Sequence, residues 1–126
     1  MPITRITLSD SYSDEKIAAI STIVHQSLVA YFAVPQDDCF QLFEKLPASQ
    51  RVFDRHYLSG GRSEGFMVLQ ITAGRPRTRE QKQDFYRVLN ERLEREIGVS
   101  PDDVMVIIQF NQAEDWSFSR GQMFCP

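Results

Sequence analysis

A chain of 126 residues, 42% hydrophobic and 25% charged, has the balance of an ordinary globular protein, and residues 1–126 read as one domain. Its formal charge of −3 excludes a broad basic field, so nucleic acid and acidic membrane surfaces are not expected partners and any anion site must be built from a few placed cations. No apolar run approaches the roughly 20 residues of a membrane span and the opening residues lack a signal-peptide core, so a cytoplasmic location is expected, with Cys39 and Cys125, at no metal-like spacing, as reduced, unpaired thiols.

Residues 2–8 are rich in β-branched side chains and predict a strand, with Ile3, Arg5 and Leu8 set against Thr4, Ile6 and Thr7. Ser11 to Asp14 supply a turn and an N-cap, and Asp14 and Glu15 suit a first helical turn. Ile17, Ile20, Ile23, Val24, Leu28 and Tyr31 then recur every three or four residues as one helix face, ending before Pro35. A second strand is predicted over Asp38 to Leu46. Residues 47–65, with Pro47 and three glycines, read as a connecting excursion holding a short hairpin or helical turn.

The pattern then recurs. Phe66 to Thr72 is a nearly continuous apolar run, as in a buried strand. Thr78 and Gln81 form a capping box, Phe85, Val88, Leu89, Leu93 and Ile97 form a helix stripe, and Gly98 is a suitable stop. A turn at 99–103 leads to a strand over Val104 to Phe110. Strand–helix–strand thus occurs twice, and two such units joined edge to edge give a four-stranded sheet with both helices on one face. The apolar strands imply that the other face is covered too, most economically by copies of the chain. The tail from Trp116 to Pro126 is expected to pack over a site or a neighbour.

Four features suggest chemistry. Methionine before proline is usually trimmed, which would leave Pro2 as a secondary α-amine. Such an amine titrates near pH 8 in model peptides and can act as base, acid or nucleophile near neutrality. Arg75 and Arg77, flanking Pro76 in extended backbone, point to one side beside the helix capped by Thr78, a suitable carboxylate clamp. Asp38, of the pair Asp37-Asp38, is expected to open the second strand with its direction fixed. Trp116, Phe118 and Phe124 offer an apolar wall against water. His25 and His56 have no partner at metal or triad spacing.

Together these features resemble the malonate semialdehyde decarboxylase group of the tautomerase superfamily. The resemblance is carried by Met1-Pro2, Val34 to Asp38, Arg75 to Arg77 with Glu80-Gln81-Lys82 and Phe85-Tyr86, Ile97 to Val104, and Asp115 to Gly121. It implies an α+β fold of β-α-β repeated twice, a four-stranded mixed sheet with two helices on one face, a homotrimer, and neither metal nor organic cofactor. It also implies that Pro2, Asp38, Arg75 and Arg77 are the catalytic set, and that Arg75, Arg77, Trp116, Phe118 and Phe124 bind a small carboxylate substrate.

The expected reaction is β-decarboxylation of a small 3-oxo acid such as malonate semialdehyde. A cationic Pro2 would polarise the carbonyl or form an iminium, and the arginines would hold the carboxylate. The same residues could instead hydrate or dehalogenate an unsaturated acid, or tautomerise a keto acid. A non-catalytic trimeric binding protein is the remaining alternative. A retained Met1 would acylate the Pro2 nitrogen and silence it.

Overall fold

A computed structural model of the chain describes residues 1–125. Its elements are β1 (Pro2–Ser9), α1 (Asp14–Phe32), β2 (Gln41–Leu46), β3 (Met67–Ala73), α2 (Arg79–Ile97) and β4 (Val104–Phe110), with short 3₁₀ turns at Ala48–Gln50, Pro101–Asp103 and Ala113–Asp115. The sheet order is β2-β1-β3-β4. The outer pairs β1/β2 and β3/β4 are parallel, as crossover helices require, and the central pair β1/β3 is antiparallel. The mixed sheet expected from the doubled β-α-β pattern is therefore present.

Helix ends follow local chemistry. Ser13 caps α1 by accepting from the Lys16 N–H, and Thr78 and Gln81 complete the capping box of α2. Gly98 closes α2 in the left-handed conformation at φ 70°. Ala33 does the same for α1 at φ 54°, a conformation that costs a residue bearing a Cβ roughly 1 kcal/mol.

Both helices cover one face of the sheet. Ile6, Leu8, Met67, Leu69 and Ile71 pack there against Ile20, Val24, Leu28, Phe85, Leu89 and Leu93. Phe32 and Phe85 join the two helices at a ring separation of 4.9 Å. The strand alternation differs from the expected grouping. Thr4, Ile6 and Leu8 point into the core, whereas Ile3 and Arg5 are exposed, because side chains alternate strictly with period two and Leu8 must follow Ile6. The opposite sheet face exposes Ile3, Leu42, Met105 and Ile107.

The start of β2 differs from the expected one. β2 starts at Gln41, and Asp38 closes a turn whose N–H bonds the Pro35 carbonyl oxygen at 3.0 Å. Gln36 and Asp37 fill the central positions of that turn, which the commonest turn type accepts readily. The excursion after β2 holds a helical turn at Ala48–Gln50 and is fastened by acidic side chains. Asp102 accepts from the Gly60 N–H at 2.9 Å, and buried Asp103 accepts from the Ser63 N–H at 2.7 Å. Both cysteines are free and exposed. No helix is long and apolar enough to cross a membrane among the described residues.

Candidate active site

The start of β1, the turn before β2 and the segment after β3 meet at one end of the sheet. Between them lies a cavity of about 620 Å³, whose lining includes Met1, Asp38, Arg75, Arg77, Phe118 and Phe124. Pro2 pairs with Ala73 in the central ladder. That register delivers the chain terminus to the cavity and holds it beside the arginine segment that follows Ala73.

The α-ammonium of Met1 donates to Asp38 Oδ2 at 2.5 Å, with both side chains 16% exposed. Asp38 is thus the counter-ion of the amino-terminal region, and its other oxygen, Oδ1, is buried without a partner among the described residues. It reaches this place from the Pro35 turn rather than from a strand. His25 of α1 supports that turn through its Nε2, 2.7 Å from the Gln36 carbonyl oxygen. The histidine thus has a positioning contact that its sequence neighbours do not reveal.

The two arginines are not equivalent. Arg77 is 7% exposed and donates from Nε and Nη2 to the Phe32 carbonyl oxygen at 3.2 and 2.9 Å, and from Nη1 to the Arg75 carbonyl oxygen at 2.6 Å. Its guanidinium also lies 5.2 Å from the Phe32 ring. The Phe32 oxygen belongs to the last turn of α1 and has no successor in the helix, so Arg77 closes that helix end with a cation. Burial, reinforced by the neighbouring Arg75 charge and opposed by Asp38, pushes the Arg77 pKa down to about 10. Arg75 is exposed and holds only a long 3.5 Å contact to the same carbonyl. It is the cation with donors to spare for a ligand.

The aromatic tail closes one side. Trp116 Nε1 donates to Asn111 Oδ1 at 2.6 Å. Its ring stacks on Phe118 at 5.5 Å, and Phe118 meets Phe124 edge-on at 5.5 Å. Phe118 and Phe124 line the cavity directly, while Trp116 stands behind Phe118. The tail therefore packs over the cavity as expected; Pro126 lies outside the described residues.

Among the lining residues that sequence reasoning missed are Phe40 and Gly74. Phe40 is 49% exposed and its ring lies 5.9 Å from that of Phe118; an exposed aromatic just before a strand was its only signal. A glycine at a strand end marks a close approach, and Gly74 lies against Met1 and Trp116. Among the described residues, no group of three or more His, Cys, Asp or Glu is placed to hold a metal ion.

The chain thus has a small α+β fold of doubled β-α-β units that brings its start, an acidic side chain and a guanidinium to one partly apolar cavity at the sheet end. Comparison with known proteins gives the family. A family model described as "Tautomerase enzyme" matches residues 38–119. Probable tautomerase YusQ of Bacillus subtilis strain 168 is 34% identical over 122 residues, covering 97% of this chain and 96% of that protein. The chain belongs to the tautomerase family. Among solved structures, malonate semialdehyde decarboxylase superimposes with a TM-score of 0.88 at 35% identity, over 95% of this chain and 92% of that one. FG41 malonate semialdehyde decarboxylase inhibited by 3-bromopropiolate also gives 0.88, at 32% identity over 95% and 91%. Native fused 4-OT, at 20% identity and a TM-score of 0.77 over 96% and 94%, shares the fold.

Proposed function

We propose that the chain, once Met1 is removed, is a cofactor-independent β-decarboxylase that converts a small 3-oxo acid such as malonate semialdehyde to an aldehyde and carbon dioxide. The observation that carries this reading is that Asp38 binds the chain-terminal amine, that of Met1, at 2.5 Å inside the cavity that Arg75 lines, where loss of Met1 would leave the Pro2 amine as the chain start. Loss of carbon dioxide leaves an electron pair that must flow into the carbonyl. A protonated Pro2 held by Asp38 would supply that sink by hydrogen bonding; a neutral Pro2, its proton passed to Asp38, would supply it by attacking the carbonyl and forming an iminium with loss of water. Arg75 would take the carboxylate, and Arg77 would fix the segment that carries Arg75. Phe118 and Phe124, with Trp116 behind, would exclude water and favour departure of a neutral gas. Resemblance to the two decarboxylase structures supports the choice of reaction.

A second reading is hydration or dehalogenation of an unsaturated acid. The unpartnered, buried Oδ1 of Asp38 favours it, because that atom could hold an attacking water. Keto–enol tautomerisation with Pro2 as base is in keeping with the name of the Bacillus relative.

Assembly as a cytoplasmic homotrimer is part of the proposal. The exposed apolar side chains Ile3, Leu42, Met105 and Ile107 on the helix-free sheet face support it. Sedimentation velocity would return three times the 14.6 kDa chain mass, and a monomer would remove this part.

The deciding experiment is acetaldehyde release from malonate semialdehyde by protein whose loss of Met1 has been verified by mass spectrometry. Release that is severely reduced in Pro2→Ala and in Arg75→Ala upholds the mechanism. Full activity in either variant, or no release by the parent protein, overturns it.

A further inference from the structure

The Met1 acyl group shows where a carbon bonded to the Pro2 nitrogen must lie. Its carbonyl carbon is joined to that nitrogen, and its oxygen accepts from the Gly74 N–H at 3.0 Å. This contact continues the β1/β3 ladder one rung beyond the Pro2–Ala73 pair. Loss of Met1 removes the acceptor and leaves the donor on a residue that lines the cavity and that Met1 had helped to bury. A buried backbone N–H is costly when unpaired and favours whatever oxygen replaces the lost one.

The missing side chain of Gly74 points the same way. A Cβ there would collide with the Met1 methyl and come within 3.0 Å of the Trp116 indole nitrogen. The space over Gly74 is therefore the space that a substituent on Pro2 nitrogen fills. Its walls are fixed: Trp116 is held by Asn111, whose N–H bonds the Ala73 carbonyl oxygen at 2.9 Å.

We propose that the Gly74 backbone N–H is an oxyanion donor of the mature site, a role that rests on Pro2 acting as the nucleophile. In the step it serves, the Pro2 nitrogen lone pair forms a bond to the carbonyl carbon of the 3-oxo acid. The π pair of that carbonyl moves onto its oxygen, and the proton on the attacking nitrogen transfers to the oxygen to leave a neutral carbinolamine. Negative charge develops on an oxygen where the Met1 oxygen sits, facing the Gly74 N–H. Any side chain at position 74 would compete with the substrate for the same volume.

Two measurements test this. In the first, the Ala73–Gly74 amide is replaced by an ester, which deletes this one donor, and kinetics on malonate semialdehyde are compared with the unmodified mature protein at matched melting temperature. Removing one such donor is expected to lower kcat by roughly 10²–10³-fold with a small change in KM; a kcat within threefold of the parent overturns the role. In the second, the Gly74 amide proton is followed by NMR in mature protein whose Pro2 nitrogen carries either an acetyl group or an ethyl group. A downfield shift with acetyl and not with ethyl supports the donor, and no difference between the two overturns it. The NMR result needs no turnover. It therefore decides the donor even if malonate semialdehyde is not a substrate or the ester variant does not fold, whereas inactivity of the unmodified protein alone condemns the decarboxylase reading.

Discussion

The guanidinium of Arg77 and the last carbonyl oxygen of helix α1, that of Phe32, are joined by two hydrogen bonds at 3.2 and 2.9 Å. This relationship ties the arginine segment after β3 to the end of α1, just before the turn that carries Asp38. It divides the work between two arginines that a sequence reading treats as a matched clamp.

Arg77→Ala should therefore act mainly on stability. It leaves a buried carbonyl oxygen without its donors and removes a cation packed on an aromatic ring. A loss of about 2–4 kcal/mol is expected, read as a lower midpoint in urea. Arg75→Ala should leave the midpoint within about 0.5 kcal/mol, as for exposed positions generally, while kcat/KM falls by about 100-fold or more through loss of a charge-assisted carboxylate contact. Equal midpoints for the two variants would refute the division.

Asp38→Asn in the mature protein removes the carboxylate proposed as counter-ion of the Pro2 amine and keeps the side-chain shape. Its kcat/KM should fall by roughly 10²-fold, in the range for loss of an acid–base partner. Stability should change little, because a half-buried carboxylate with one unpartnered oxygen contributes weakly. Parent-like turnover would exclude Asp38 from the chemistry.

Ala33→Gly should stabilise the protein. Ala33 holds a left-handed φ of 54° at the end of α1, where glycine carries no Cβ penalty. After allowance for the greater freedom of glycine in the unfolded chain, the gain should be about 0.5–1 kcal/mol. A lower melting temperature would contradict the proposed strain.

Alkaline stability should depend on Tyr12. Burial, followed by the nearby Asp103 charge and opposed by Arg51, pushes its hydroxyl up to about 12, and the hydroxyl donates to the Gly65 carbonyl oxygen at 2.6 Å. The folded state holds this proton more tightly than the unfolded chain, whose tyrosine titrates near 10. The contribution is therefore complete below pH 10 and is lost as pH rises from 10 to about 12, amounting to roughly 2–3 kcal/mol. Urea midpoints between pH 9 and 12 should fall less steeply in Tyr12→Phe than in the parent. Parallel slopes would reject the assignment.

Phe40→Ala and Phe118→Ala open the cavity mouth without touching the core. Each should raise KM several-fold and leave the urea midpoint within about 1 kcal/mol, since both rings are about half exposed. An unchanged KM in both would remove the aromatic wall from substrate binding.

Much of the fold was legible because it is written in local periodicity. The helix stripes at Ile20 to Leu28 and Phe85 to Leu93, the Thr78–Gln81 capping box and the Gly98 stop each depend on neighbours within one or two turns. The apolar runs at 66–72 and 104–110 likewise mark the two strands to within a residue, although β4 leaves Met105 and Ile107 exposed in the single chain. The position of Asp38 was misread because a Pro35 turn and a strand start look alike over four residues; the hydrogen bond to the Pro35 carbonyl decides between them.

By itself the sequence determined the elements, their doubled order and the residue types available to the site, since caps, turns and hydrophobic period act over short distances. The tertiary structure alone decided that the chain start lies on Asp38, that Arg77 is spent on the end of α1 while Arg75 stays free, and that the Gly74 N–H meets the Met1 carbonyl oxygen. These relations join residues 37 to 73 positions apart. They exist because the antiparallel β1/β3 register and the packing of α1 bring those segments together, which no local pattern encodes.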